Sequence, residues 1–284
     1  MLLHAVVLVF GFTGILGKLI SVGSAPLVWY RLLIAVVAIA MYLLWARVPL
    51  RLPREGVRST LLVGLIVAAH WTCFFESIKQ STVSIALVCL STGTLFTSLI
   101  EPVVFRRGLR LYEMLLGVFT VFGILFVFRF ESGYTVGIAY GLVASFLGAV
   151  FTVINGKLVG QYDSRSISLY ELASGFGGLS VYLLFVARPG WDVMAVSRSD
   201  LAYLLVLGVV CTGFAFVGSV HVMRALSPFT VVLTINLEPI YGIVLALLVF
   251  GESEYMTPGF YAGAAVILLS IWVNAIVKRS AAGG

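Results

Sequence analysis

Charge is what this chain has least of. Its 284 residues include 12 Asp and Glu and 18 Lys and Arg, 11% in all, against 61% hydrophobic residues. The mean hydropathy is +1.11. A soluble domain carries about 25% charged and about 45–50% apolar residues, so a soluble globular reading is excluded. Cysteine is equally scarce. Cys73, Cys89 and Cys211 lie in apolar runs, are odd in number and form no C-x-x-C, which argues against a disulfide framework or a zinc site. They read as small apolar packing groups. The only aspartates, Asp163, Asp192 and Asp200, fall between apolar runs. With no paired intramembrane aspartates and no H-E-x-x-H, G-x-S-x-G or Walker motif, a membrane-embedded enzyme is the weaker reading. The net charge of +6 is no nucleic-acid patch, because the bases gather in short loops between apolar runs, where such residues set membrane orientation.

What is present is a succession of apolar runs. A helix that crosses a bilayer needs about 20 predominantly apolar residues. The runs 3–20, 26–45, 60–78, 83–105, 109–128, 137–159, 168–187, 201–223, 228–250 and 258–277 give ten spans with short connections. The first is read as a helix and not as a signal peptide, because its base, Lys18, follows the run instead of preceding it. Residues 280–284 read as an appended tail. With the N-terminus inside, twelve bases fall in inside segments: Arg47, Arg51, Arg54, Arg58, Arg106, Arg107, Arg110, Lys157, Arg165, Arg224, Lys278 and Arg279. Five fall outside: Lys18, Lys79, Arg129, Arg188 and Arg198. That bias predicts both termini in the cytoplasm.

The two halves repeat one pattern with charges exchanged. Tyr30-Arg31-Leu32 aligns with Tyr170-Glu171-Leu172, and Glu76 aligns with Arg224. Five spans per half is an odd number, so a shared fold requires the second half to insert upside down. The expected fold is an all-α polytopic membrane protein of ten transmembrane helices, built as two inverted five-helix repeats, 1–132 and 133–279. Small residues at helical spacing, Gly148, Thr152, Gly156 and Gly160 with Gly137/Gly141 and Gly259/Gly263, predict close helix packing.

Four short motifs, in order, carry a family resemblance: Tyr30-Arg31-Leu32, Ala225-Leu226-Ser227-Pro228, Leu237-Glu238-Pro239 and Phe250-Gly251-Glu252. With their spacing, the chain resembles the drug/metabolite transporter superfamily in its ten-helix form, and within it the bacterial aromatic-amino-acid exporter branch. The first half departs from the pattern: Ser91-Thr92 stands opposite Glu238-Pro239. The resemblance implies secondary export of a small metabolite across a bacterial inner membrane, with no bound cofactor. The implied partners are the substrate and the lipid bilayer, and a closed inverted repeat can work as a monomer.

An ionisable residue at the bilayer centre costs about 2.5–3.5 kcal/mol or more, so each needs a partner, a cavity or a shallow depth. Arg31, five residues into its run, is about 7 Å deep at 1.5 Å per residue. Glu76 lies at similar depth on the outer side, and Glu171 and Arg224 share a depth near the inner face. The expectation is two pairs, Arg31 with Glu76 and Glu171 with Arg224, which either gate the ends of a pathway or only neutralise charge. Glu238 is near mid-span, followed by Pro239, which removes a backbone N–H and frees the carbonyl of Ile235. It marks either a cavity or a kink. His70, Trp71, Ser91, Asn155, Asn236 and Glu238 are the expected lining of a mid-depth substrate site. That site is bounded by spans one, three, four, six, eight and nine, an assignment of spans that rests on the resemblance. Phe12, Trp71, Phe74, Phe96, Phe151 and Phe214 are candidates for an aromatic wall. A pore would need a continuous polar lining, and here the polar groups gather near mid-depth.

Overall fold

The structure, a computed structural model, describes residues 1–47, 52–106, 108, 111–188 and 190–282. Within its helices, side chains are described except at 111–114, 116–118, 191, 192, 271, 274, 275 and 278–282. Of the bases counted above, Arg51, Arg107 and Arg110 lie outside the described residues, as does the start of the fifth run. Among the described residues there is helix and no strand. In hydrocarbon a backbone must satisfy its own polar groups, and a helix does this within one segment.

The long elements are α1 (Leu2–Leu19), α2 (Ser24–Trp45), α3 (Arg54–Gln80), α4 (Val83–Phe105), α5 (Leu111–Phe130), α6 (Ser132–Leu158), α7 (Ser164–Ala187), α8 (Arg198–Val222), α9 (Pro228–Glu254) and α10 (Pro258–Ala282), with a four-residue helix at Trp191–Met194 between α7 and α8. Eight of them, all but α5 and α10, are long and apolar enough to cross a membrane. In the other two, Phe119–Phe130 and Pro258–Ser270 are shorter apolar stretches among the described residues. The chain is thus a polytopic membrane protein. Helix α3 starts six residues before the expected run because Pro53 precedes it and its polar first turn extends past the apolar part. Helix α10 continues through Ser280 to Ala282, so the expected tail is helical where it is described.

Local chemistry sets the helix starts. Ser197 and Asp200 form a reciprocal capping box at α8. Ser227 caps α9 ahead of Pro228 at its first turn, and Asp163 caps α7 through the Arg165 N–H. Helix α3 packs along α6 and α7, while α8 packs along α1 and α2. Helix α4 packs on α6 as α9 packs on α1, α4 also meets α9, and α5 meets α10. Exchanging the first five helices with the last five carries each set of contacts onto another. The α3–α7 approach is close: a Cβ on Gly64 would lie 2.1 Å from the Glu171 carbonyl oxygen.

Besides the π-helical segment at the middle of α8, two helices among those described break at mid-length. In α9 the break falls at Asn236–Leu237, where the Leu237 N–H turns to the Thr234 carbonyl at 3.1 Å. Pro239 has no N–H to offer Ile235, which is the expected cause. In α4 the break falls at Thr92, without a proline. The Thr92 hydroxyl donates back to the Cys89 carbonyl at 2.7 Å and contacts Ser145 Oγ at 2.9 Å. The Asn236 amide donates to Thr94 Oγ1, so the two breaks are tied together.

The two ends of the bundle differ. At one, Lys18 Nζ lies 2.7 Å from Glu254 Oε1, and Glu254 accepts the Val83 and Ser84 N–H groups at 3.1 and 3.0 Å. Nearby, Asp200 accepts the Ser21 N–H at 2.9 Å and its hydroxyl at 2.6 Å, and Lys79 donates to the Ile20 carbonyl at 3.0 Å. These bonds fasten α1 and the α1–α2 loop to the ends of α3, α8 and α9. At the other end two wide clefts open. One of about 590 Å³ lies between Gly156–Asp163 and Met223–Arg224, and one of about 670 Å³ lies between α1, α2, α7 and α8.

Candidate functional site

A cavity of about 110 Å³ lies where the interrupted helices meet. His70, Trp71 and Phe74 enter it from α3, Phe151 and Thr152 from α6, Phe216 and Ser219 from α8, and Asn236 and Glu238 from the break in α9. Thr13 on α1, Arg31 on α2 and Ser145 on α6 add to its polar lining. His70, Phe151, Phe216 and Trp71 form an aromatic chain, with ring centroids 5.2, 6.2 and 5.5 Å apart in that order. Because His70 Nδ1 sits 2.7 Å from the Ala144 carbonyl, which can only accept, Nδ1 carries the hydrogen and Nε2 is the other ring nitrogen. A site of about 110 Å³ is smaller than the ~300–1,000 Å³ that encloses drug-sized ligands.

The polar chemistry centres on Arg31. Its residue is 1% exposed. Its guanidinium lies 3.9 Å over the Trp71 ring, and Nε donates to Thr212 Oγ1 at 2.5 Å. Thr212 in turn donates to the Leu207 carbonyl at 2.7 Å, within a π-helical segment of α8 that spans Val209–Phe214. Nη1 is buried and has no hydrogen-bond partner. Glu238 is buried at the same cavity, and no ion pair joins the two among the described residues. A cation with an unpartnered, desolvated N–H and a carboxyl group thus share one largely apolar chamber. That arrangement can take a ligand bearing both an anionic and a cationic group.

The expected pairings are not those formed. Arg31 does not meet Glu76, because its guanidinium rests on Trp71, five residues and about 7.5 Å along α3 from Glu76. Glu76 instead accepts from Ser24 Oγ and, at 2.8 Å, from Gln80. Glu171 does not meet Arg224. Glu171 is fully buried and accepts from the Asn155 amide at 3.1 Å. Arg224 lies on the surface, 3.6 Å from Asp163 Oδ2 and 3.4 Å from the Tyr162 carbonyl. Asp163, bonded to Arg165 first and also near Arg224, is held below its ordinary carboxylate pKa.

Of the six expected lining residues, His70, Trp71, Asn236 and Glu238 reach the cavity. Ser91 turns back to the Leu87 carbonyl at 3.2 Å, and Asn155 points to Glu171. Of the expected aromatic wall, Trp71, Phe74 and Phe151 line the cavity. Phe12 and Phe214 are exposed on the outer surface, and Phe96 meets Phe146 edge to face. Arg31 as a cavity residue escaped the sequence reading. The signal was present in Trp71, an aromatic face within reach of a buried base.

The sequence profile of the EamA-like transporter family matches residues 1–129 and 135–276. An uncharacterized transporter of Archaeoglobus fulgidus is 25% identical over 237 residues, 80% of this chain and 79% of the relative. One of Clostridium kluyveri is 20% identical over 213 residues, 72% and 68% respectively. A solved crystal structure superposes with a TM-score of 0.71 at 15% identity, covering 98% of this chain and 97% of the other. At that identity the likeness shows the fold. An apolar bundle with two broken helices meeting at one central chamber, matched in both halves by one profile, has one consistent reading: this chain belongs to the EamA-like transporter family.

Proposed function

We propose that the protein is a secondary transporter that exports amino acids with aromatic or neutral side chains by alternating access around the central cavity. The observation that carries this reading is that Arg31, whose buried Nη1 has no partner, and Glu238 line one chamber together with the rings of Trp71, Phe151 and Phe216. Arg31 holds the substrate carboxylate, Glu238 its ammonium group, and the rings of Trp71, Phe151 and Phe216 its side chain. Stacking on ring faces tolerates several side chains, so selectivity is broad. The exchanged contact sets of the two halves support ten helices arranged as two inverted repeats. The twelve-to-five charge count supports cytoplasmic termini, and the family resemblance supports a bacterial inner membrane. The fastened end then faces outward and the wide clefts face the cytoplasm. For a substrate to enter, the 110 Å³ chamber must widen toward the clefts.

The test is counterflow in proteoliposomes against a panel of radiolabelled amino acids and other metabolites. Saturable exchange of aromatic or branched amino acids is expected. Saturable exchange confined to other metabolites would replace the substrate assignment, and unsaturable conductance would replace the carrier by a pore. His70→Ala and Trp71→Phe are expected to reduce efflux with expression and folding near those of the parent, whereas Trp71→Ala would also open the core beneath Arg31; full transport of every substrate by both His70→Ala and Trp71→Phe would move the site elsewhere.

A further inference from the structure

Asn155 and Glu171 take no part in the cavity, yet they are among the most enclosed polar side chains in the molecule, both at 0% exposure. They are joined by one hydrogen bond, from Asn155 Nδ2 to Glu171 Oε2 at 3.1 Å. The other polar atom of each, Asn155 Oδ1 and Glu171 Oε1, is buried without a partner. Both are acceptors if the carboxyl is ionised. Whichever way the amide is turned, a carboxylate can use only its NH2 group and leaves its carbonyl unsatisfied. One proton on Oε1 removes both defects, because the acid O–H can then donate to the amide carbonyl while the amide N–H donates to the acid carbonyl. The alternative is an ionised carboxylate in a low-dielectric bundle with one neutral donor and no counter-ion, which is far more costly.

Among the described residues, no charge compensates Glu171. Helix α7 packs on α2, α3 and α8. On those helices Arg31 is bonded to Thr212, His70 to the Ala144 carbonyl, Glu76 to Ser24 and Gln80, and His221 to Ser164. Arg54, Glu55 and Arg58 are exposed at the start of α3, Cys73 and Cys211 are neutral thiols, and Lys157 on α6 is exposed.

The location gives the proton somewhere to go. On α6, Thr152 lines the central cavity and Gly156 lines the 590 Å³ cleft, and Met223 lines both. Asn155 sits between those two positions. We propose that Asn155 and Glu171 form a proton-binding site at the junction of cavity and cleft, loaded in this conformation and emptied to water when the junction opens. The step breaks the Glu171 O–H bond, leaves a carboxylate and passes H⁺ to water, and it is reversed on closure. This goes beyond the substrate assignment, and rests on it only in making the junction the substrate's path.

Infrared difference spectra of the purified full chain, parent minus Glu171→Gln at neutral pH, read the site directly. One protonated-carboxyl C=O band is expected, lost in Glu171→Gln and shifted in Asn155→Leu, where the acid loses its partner. Absence of the band overturns the proposal. Glu171→Gln is expected to fold, since its amide can keep both hydrogen bonds to Asn155. If it does not, Asn155→Leu against the parent still decides the band. In vesicles loaded with a pH dye, the parent is expected to move protons with its substrate, and Glu171→Gln to keep counterflow while losing that proton movement. Proton movement retained in Glu171→Gln also overturns it. A parent that transports no amino acid but keeps the band removes the substrate reading and leaves the proton site standing.

Discussion

Replacing Arg31 separates a carboxylate anchor from a structural cation. The guanidinium is held on one side by Thr212 and underneath by Trp71, and Nη1 is left for a ligand. A hydrogen bond to a charged group contributes about 1.5–3 kcal/mol, and each 1.4 kcal/mol is tenfold in affinity. Arg31→Gln should therefore weaken binding of an aromatic amino acid about ten- to hundredfold. The decarboxylated amine of the same side chain has nothing for Nη1 to hold, so its affinity should change little. The assay is competition by phenylalanine and by phenethylamine for counterflow, or ligand-dependent thermal shift of the detergent-solubilised protein. Arg31→Lys should recover part of the loss: the charge stays, but the planar fork that reaches Thr212 and the ligand together is gone. The double variant Arg31→Gln/Glu238→Gln controls for the carboxylate left beside a missing cation. If Arg31→Gln weakens acid and amine equally, Arg31 does not hold the carboxylate and the reasoning fails.

Other outcomes follow from particular contacts. Gly64→Ala puts a methyl 2.1 Å from the Glu171 carbonyl oxygen, and overpacking of that kind costs about 1–3 kcal/mol. It should lower the melting temperature, while Gly177→Ala, which meets nothing within 4 Å, should leave it unchanged or raise it. Glu76→Gln and Arg31→Gln should have additive effects on stability, since their side chains bond elsewhere; rescue in the double variant would restore the direct pair. Cysteines at Arg54→Cys and Ser132→Cys should differ in access to an impermeant thiol reagent, and labelling of Arg54→Cys from outside intact cells would reverse the orientation. Asp163 is held below its ordinary value of 3.8 chiefly by Arg165. Its contribution to stability is therefore present above that value and lost as pH falls through the lowered one, a dependence that Asp163→Asn should remove.

Much of the fold was legible because the bilayer imposes one rule on every span. Apolar runs gave the helices, and Pro239 gave the break in α9 with Glu238 and Asn236 beside the cavity. The break in α4 was harder to read. It has no proline and depends on the Thr92 hydroxyl returning to Cys89 and on Ser145 from another helix. Tertiary contacts of that kind leave no local pattern. Ser91 failed as a lining residue for a related reason: a hydroxyl can satisfy itself on its own helix.

The charged pairs failed because depth was counted along the backbone, whereas charge is delivered by the side chain. Arg31 and Glu171 are each the eighth residue of their helix, α2 and α7, so the repeat places them alike. A long guanidinium carries its charge to Trp71 and the cavity, while the shorter carboxyl stays among its neighbours. Their partners also break the symmetry. Arg31 bonds α8, so exchange of the halves would give Glu171 a partner on α3; it bonds Asn155 on α6 instead. A bundle whose helices pack as matched sets can thus hold two unlike groups at equivalent positions. One is a cation with an unpartnered N–H on a residue that lines the cavity, and the other an acid paired with an amide beyond it. The first position suits binding an anion and the second suits holding a proton, and only the second lies between cavity and cleft.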